Sequence, residues 1–256
     1  MSARSERRSR RRNTDKGEPS SLSPIAGQPA FRPIPNSWMV LKPHSTDKIE
    51  AVHQQSLKII SELGVKVLSP TARAHLKQAG CIVDEGEEIV RMDPAFVEQM
   101  VAKAPAEFTM TPRNPDRALT IGGNMINFGL VSGPPNAHDC IRGRRPGNFA
   151  DYQDIVRLGQ SFNAIHFMGN QALSTNDLPA NTRHLDCMLA NITLSDKITS
   201  SMSIGAGRVR DAAAMLAISR GLTLDELKDS PTAMTNINVN SPRVLDQEMS
   251  DAALML

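Results

Sequence analysis

After Arg144 the chain settles into a strand–helix alternation, and no other feature restricts its fold as much. Asn148 opens a helical run carrying Phe149, Tyr152, Ile155, Val156 and Leu158, closed by Gly159. Ile165–Gly169 reads as a buried strand, and Leu185, Met188, Leu189 and Ile192 mark an amphipathic helix. Ile198–Ile204 is the next strand, and Val209, Ala212, Ala213, Leu216 and Ala217 the next helix. Thr232–Val239 and the helix through Leu245, Met249 and Ala252 repeat the unit. Strand starts lie about 34 residues apart, close to one strand–helix–strand crossover. This pitch implies a parallel sheet covered by helices, either a (β/α)8 barrel or an open doubly wound sheet. No G-x-G-x-x-G or G-x-x-x-x-G-K follows these strands, which removes support from the nucleotide-binding versions.

Residues 39–145 follow another pattern and read as a small α+β unit. Ile49, Val52, Ile59, Ile60 and Leu63 recur at helical spacing from Ser45, with Gly64 as the stop. A short helix near Pro70–Ala79 precedes a strand at Glu88–Met92. Asp93 then caps a helix with Pro94 at its first position, and Phe96, Val97, Met100 and Val101 turned inward. Phe108–Thr111, Ala118–Ile121 and Met125–Leu130 are strand-like, with hairpin punctuation between them.

The net charge of +2 hides an asymmetry. Six arginines and one acid crowd residues 1–12, leaving 23 basic and 26 acidic residues and a net of −3 for the rest. The tail runs on through Ser, Pro and Gly to about Pro35, so residues 1–38 are expected to be a disordered basic arm. No apolar stretch follows to make it a secretory signal. A nucleic-acid or anionic-surface arm is conceivable. Nothing aromatic or Gly-rich interleaves the arginines, so a solvated tail is the preferred reading and nucleic acid is disfavoured. No apolar run reaches the ~20 residues of a spanning helix. Cys81, Cys140 and Cys187 form no C-x-x-C pair, which points to a reducing cytoplasm and to neither disulfides nor thiolate zinc.

In parallel α/β folds ligands sit at the carboxyl ends of strands. Those ends here read Met168-Gly169-Asn170-Gln171, Met202-Ser203-Ile204-Gly205 and Asn236-Ile237-Asn238-Val239-Asn240. They are small, polar and uncharged, without a Schiff-base Lys, paired carboxylates or a His pair for a metal. Thr232, Met234, Asn236, Asn238 and Asn240 share one strand face at period two. Asn is depleted in strands, so the series asks for a polar interior or a ligand, or else the side chains satisfy one another or a turn. His166 and His184 read as hydrogen-bonded structural residues, and His138-Asp139 follows a Gly-Pro-Pro loop that a site could use. Gly205-Ala206-Gly207 opens a helix and is a weak anion motif.

The order of several short pieces resembles the trimethylamine methyltransferase family, the corrinoid-protein-dependent methylamine and betaine demethylases. The pieces are Leu63-Gly64-Val65-Lys66-Val67, Met92-Asp93-Pro94, Phe108-Thr109-Met110-Thr111 with Arg113-Asn114-Pro115, and Asn127-Phe128-Gly129 leading to Ser132-Gly133-Pro134-Pro135. Then come Arg142-Gly143-Arg144-Arg145-Pro146 before a helix with Asp151, Ser195-Asp196-Lys197, and Asn240-Ser241-Pro242. The Arg-rich start is also similar to that of many members.

The resemblance implies a (β/α)8 TIM barrel behind a small N-terminal region. Residues 146–256 hold room for three strand–helix units, so the expectation is a partial barrel. The apolar, uncapped finish at Ser250–Leu256 makes the length read as a truncation, and such a chain is expected not to turn over alone. It also implies transfer of a methyl group from a methylated amine, trimethylamine or a quaternary amine such as glycine betaine, to the cobalt of a separate corrinoid protein. A quaternary ammonium leaves without a general acid, which agrees with uncharged strand ends. The trimethylamine-specific members carry pyrrolysine, in a region beyond Leu256. The corrinoid would be carried by its own protein and not bound directly. Residues facing substrate or corrinoid are expected to be Phe128, Gly129, Ser132, Gly133, Asn170, Ser203, Asn238 and Asn240, with no metal ligands. A non-catalytic barrel fragment that binds a ligand or partner is the alternative, and homo-oligomer formation stays open.

Overall fold

The computed structural model describes residues 25, 27–38, 40–169, 171–200 and 204–255. It is a mixed α/β molecule built from several small sheets. In chain order the first elements are β1 (Ile34–Pro35), α1 (Thr46–Lys58) with a π turn at Ile59–Leu63, β2 (Val65–Val67), α2 (Pro70–Gln78), β3 (Ile82–Asp84), β4 (Ile89–Arg91) and α3 (Pro94–Ala102). Then come β5 (Glu107–Met110), β6 (Leu119–Gly122), β7 (Met125–Ile126), β8 (Asn136–Asp139), β9 (Gly143–Pro146) and α4 (Phe149–Ser161). The remainder is β10 (Phe167–Met168), α5 (Arg183–Leu194), β11 (Ile198–Ser200), α6 (Ala206–Arg220), α7 (Leu224–Lys228), β12 (Ala233–Met234), β13 (Val244–Leu245) and α8 (Gln247–Met255).

The helix starts follow local chemistry. Asp93 Oδ1 accepts the Ala95 amide at 2.8 Å, with Pro94 preset at the first turn. Asn148 Oδ1 caps α4 through the Asp151 amide at 2.8 Å. Helix α7, absent from the sequence reading, is held by a capping box between Thr223 and Glu226.

Strands β10, β11 and β12 lie parallel in sequential order, with Phe167 beside Ile198 and Ser200 beside Met234. Among the described residues no closed barrel forms. The two faces of this sheet separate cleanly. Met168 joins Tyr152, Val156, Leu173 and Cys187 under α4 and α5. Phe167, Ile198 and Met234 meet Met110, Leu119 and Ile121 of the β5–β6 hairpin. The alternation is the period-two geometry of a strand buried on both sides. Burying each large side chain fully is worth about 1.5–3 kcal/mol.

The N-terminal unit has its own core of Val67, Ala72, Cys81 and Val90. Its sheet runs β13-β2-β4-β3, so the late strand β13 lies parallel to the early β2. Arg243 Nη1 donates to Gly64 O at 2.5 Å and Ser69 Oγ to Asp251 at 2.5 Å, clasping the two regions. Among the described residues no helix is long and apolar enough to cross a membrane.

Several sequence expectations change. The tail as drawn, to residue 38, overlaps a docked segment. Gln28 Nε2 donates to Ser161 O at 2.8 Å, Phe31 sits edge-on to His166, and β1 pairs with β7. The apolar Phe31 and Ile34 find cover here; residues 1–24 lie outside the described residues. Helix α4 runs through Gly159 to Ser161, because Gly159 faces Leu130 and Met168 with no room for a side chain. The strand expected over Thr232–Val239 ends at Met234, since β12 has a neighbour on one side and the chain then leaves the sheet. Met125–Leu130 shortens to β7 plus a bridge at Gly129, and Val101 turns outward.

Candidate functional site

The two ends of the parallel sheet are built differently. At the amino end charges are buried and consumed. Arg117, 1% exposed, lies 3.4 Å from Asp196 and 4.5 Å over the Phe31 ring. Asp196 accepts from Asn114 Nδ2 and Gln160 Nε2, both at 2.8 Å. Burial works against its charge, but these hydrogen bonds and the cations Arg117 and Lys197 hold its carboxyl below the usual range. Lys197 Nζ donates to Gly159 O and Phe162 O, each at 2.7 Å, at the carbonyl end of α4. Burial, then the Arg117 charge, pushes it down to about 7 against the pull of Asp196. A cavity of about 20 Å³ beside it, lined by Asn191, Ser195, Thr199 and Thr232, has room for about one water. The β5–β6 hairpin closes this end: the Thr111 amide donates to Pro231 O at 2.8 Å.

The carboxyl end is left to small and uncharged groups. Residues 129–133 run beside β10 and past its end. Gly129 bridges Phe167 in parallel register, and the Gly133 amide donates to Gln171 O at 2.7 Å. Ser132 and Gly133 therefore reach the rim and are exposed there. The approach is too close for side chains. A Cβ on Gly129 would enter the Phe167 ring, and one on Gly169 would stand 2.6 Å from Leu130 O and 2.9 Å from Ser132 Oγ.

The other expected site residues separate. Phe128 lies level with His166, at the amino side of β10, its half-exposed ring stacked on the imidazole at 6.1 Å. His166 is fully buried with both ring nitrogens engaged: Nδ1 accepts the Phe128 amide at 2.9 Å and Nε2 faces Arg32 O at 3.2 Å. Burial lowers its pKa, which suits a neutral structural imidazole. Asn238 and Asn240 are exposed beyond β12. The Asn238 amide faces Met249 Sδ at 3.3 Å, and Asn240 Nδ2 donates to Asp246 at 3.1 Å within the turn that returns to Val244. Asn170 and Ser203 lie outside the described residues.

One rim residue escaped the sequence reading. The Gly205 amide donates to Glu248 O at 3.1 Å, and a Cβ on Gly205 would sit 2.7 Å from Glu248 Oε2. This carboxylate stands at the amino end of α6, where the Gly205-Ala206-Gly207 motif had suggested an external anion. No local pattern announces it, because α8 brings it from 43 positions away.

Arg142 and Arg145 of the Arg-Gly-Arg-Arg-Pro motif, with Asp139, form a tie between the β8–β9 hairpin and Asp151 of α4, while His138 stays exposed. Arg145 pairs with Asp151 and, at 2.7 Å, with Asp139; Arg142 reaches Asp139 at 2.9 Å and Asp151 at 3.2 Å. The Arg142 amide first, with the Ile141 amide and the two guanidinium groups, holds Asp139 well below the usual carboxylate range. The Arg145 hydrogen bonds do the same for Asp151. Both folded-state pKa values are depressed, so their stabilisation is complete above the ordinary carboxylate value of about 4 and lost as pH falls through the folded values. Urea midpoints measured from pH 7 to pH 2 should therefore drop on the acid side, and D139N/D151N should flatten that limb. An unchanged limb would refute the assignment.

Among the described residues no three His, Cys, Asp or Glu side chains converge as metal ligands. Comparison with known proteins gives a consistent relationship. The model of the trimethylamine methyltransferase family matches residues 4–256. The chain is 29% identical over 208 residues to the glycine betaine methyltransferase of Desulfitobacterium hafniense strain Y51, covering 81% of this chain and 43% of that protein. It is 33% identical over 70 residues to the trimethylamine methyltransferase MttB2 of Methanosarcina mazei, covering 27% of this chain and 14% of that protein. The chain thus spans less than half the length of these relatives.

Proposed function

The chain belongs to the trimethylamine methyltransferase family, and on that basis we propose that it supplies the first strand–helix units of a (β/α)8 barrel that moves a methyl group from a methylated amine to a corrinoid protein. The observation that carries this reading is the asymmetry of the parallel sheet: sequential strands, an amino end sealed by the β5–β6 hairpin, and a carboxyl rim of small uncharged groups. The partner protein's Co(I) supplies the nucleophile, and the amine leaves with the carbon–nitrogen electron pair. The residues present fit a flat ring brought to the rim, because Ser132 and Gly133 are exposed and Gly169 lies against the Leu130 and Val131 carbonyls.

A quaternary amine requires no proton, so the rim has to bind and orient rather than titrate. Glu248 provides the negative potential that favours a cation there, and the short rim side chains let the ammonium and the ring approach together. Phe128, one level lower, supports the strip from below through its stack on His166.

The test mixes the full-length protein that carries these units with a Co(I) corrinoid protein and glycine betaine, proline betaine, carnitine or trimethylamine, and follows methyl-cobalt by absorbance. Methyl-cobalt formed with any of them supports the proposal. Ligand binding by calorimetry without methyl-cobalt overturns it in favour of a non-catalytic binding fragment. Glu248→Gln should raise KM for the cationic amine about 2- to 5-fold with kcat little changed, as expected for one exposed ion pair; equal loss in kcat would contradict a purely binding role.

A further inference from the structure

Helix α1 leaves an apolar stripe open to solvent along most of its length, where an ordinary surface helix buries such a stripe. Every residue from Thr46 to Ser56 is exposed, and Leu57 is the buried residue of the helix. The His53–Glu98 pair, at 3.5 Å, adds a link to α3. Ile49, Val52, Ser56, Ile59 and Leu63 follow one another at alternating steps of three and four, the spacing of a two-helix seam. Val52 lies about 140° around the helix from Leu57 at 3.6 residues per turn. The apolar members are 59%, 71%, 43% and 54% exposed in chain order, a stripe that a solitary soluble molecule rarely shows.

We propose that α1 pairs antiparallel with α1 of a second copy of this chain across a two-fold axis. The seam is self-complementary in that direction. With Ile49 set opposite Ile59 of the other copy, Val52 falls opposite Ser56, and the small serine allows close approach. Charge selects the same direction. Lys48 flanks the seam at its amino end, and Glu62 stands at the other end among the carbonyls of the last turn. Antiparallel pairing brings Lys48 of each copy to the Glu62 end of the other, whereas parallel pairing would leave Lys48 and Glu62 at opposite ends of the seam. Glu62 is exposed and 3.9 Å from the equally exposed Lys58, which leaves it open to a second cation. This pairing does not depend on the methyl-transfer reading.

Sedimentation velocity of the protein from about 1 to 100 μM, which spans free energies of about 5 to 8 kcal/mol, should show a monomer–dimer equilibrium. Val52→Asp should weaken it about tenfold or more, because pairing would desolvate the introduced charge, with far-UV circular dichroism unchanged. Ile82→Asp, exposed but away from the seam, should not alter it. Lys48→Glu and Glu62→Lys should each weaken the dimer, and the double exchange should restore it. A monomer across the range, a V52D variant that dimerises like the parent, or a double exchange no better than the single changes would overturn the proposal.

Discussion

Asp196→Ala is expected to destabilise the fold by about 3–5 kcal/mol, the cost of leaving one member of a buried ion pair alone. Arg117 is almost fully enclosed, and its charge has Asp196 at 3.4 Å and the Phe31 face at 4.5 Å as compensation. Removing the carboxylate also strands Asn114 Nδ2 and Gln160 Nε2, which both donate to it. The loss therefore combines an unpaired guanidinium with two broken hydrogen bonds. Asp196→Asn should cost less, since an amide oxygen still accepts from one donor. Urea denaturation of both variants measures the difference. A loss below about 1 kcal/mol for Asp196→Ala would mean that Arg117 finds water or another partner, against the packing described here.

Tyr152→Ala carries the second large effect, about 3–5 kcal/mol, as for other large aromatic truncations in a core. The ring is fully buried between α4 and α5 beside Val156, Met168 and Cys187. Its hydroxyl donates to Asn191 Oδ1 at 2.9 Å, and Asn191 Nδ2 in turn donates to Thr199 Oγ1 at 3.1 Å on β11. Tyr152→Phe keeps the volume and removes the end of that chain, so about 1 kcal/mol is expected. The comparison separates packing from hydrogen bonding by thermal or chemical unfolding. Equal losses in the two variants would show that the hydroxyl, not the ring, holds the helices to the strand.

Much of the fold is legible in the residues because its signals are local. Asp93-Pro94, Ser69-Pro70 and Asn148 announce helix starts through caps that need no distant partner. Lengths and neighbours are less visible. The period-two asparagines after Thr232 look like a strand face, yet a strand lasts only as far as it has a neighbour, and β12 loses its neighbour after Met234. Gly159 looks like a helix stop, but its lack of a side chain serves packing against Leu130 and Met168. The rim was partly readable. Ser132 and Gly133 follow from their place after the Asn-Phe-Gly run, whereas Phe128 slips one level down by the register of Gly129 on Phe167. Glu248 depends on how α8 folds back, and no window of sequence contains that.

The pairing of β13 with β2 has a consequence for how the molecule is made. Arg243 and Gly64, joined in that clasp, are 179 positions apart. A ribosome delivers β2, β3 and β4 early, so the nascent sheet waits with the Lys66–Val67 edge open until residues 243–251 emerge. An open edge is a template for any strand that passes, including one from a neighbouring nascent chain. Completion of the earlier-made unit thus waits on a later-made one, and closing this long loop is expected to be slower than forming either core.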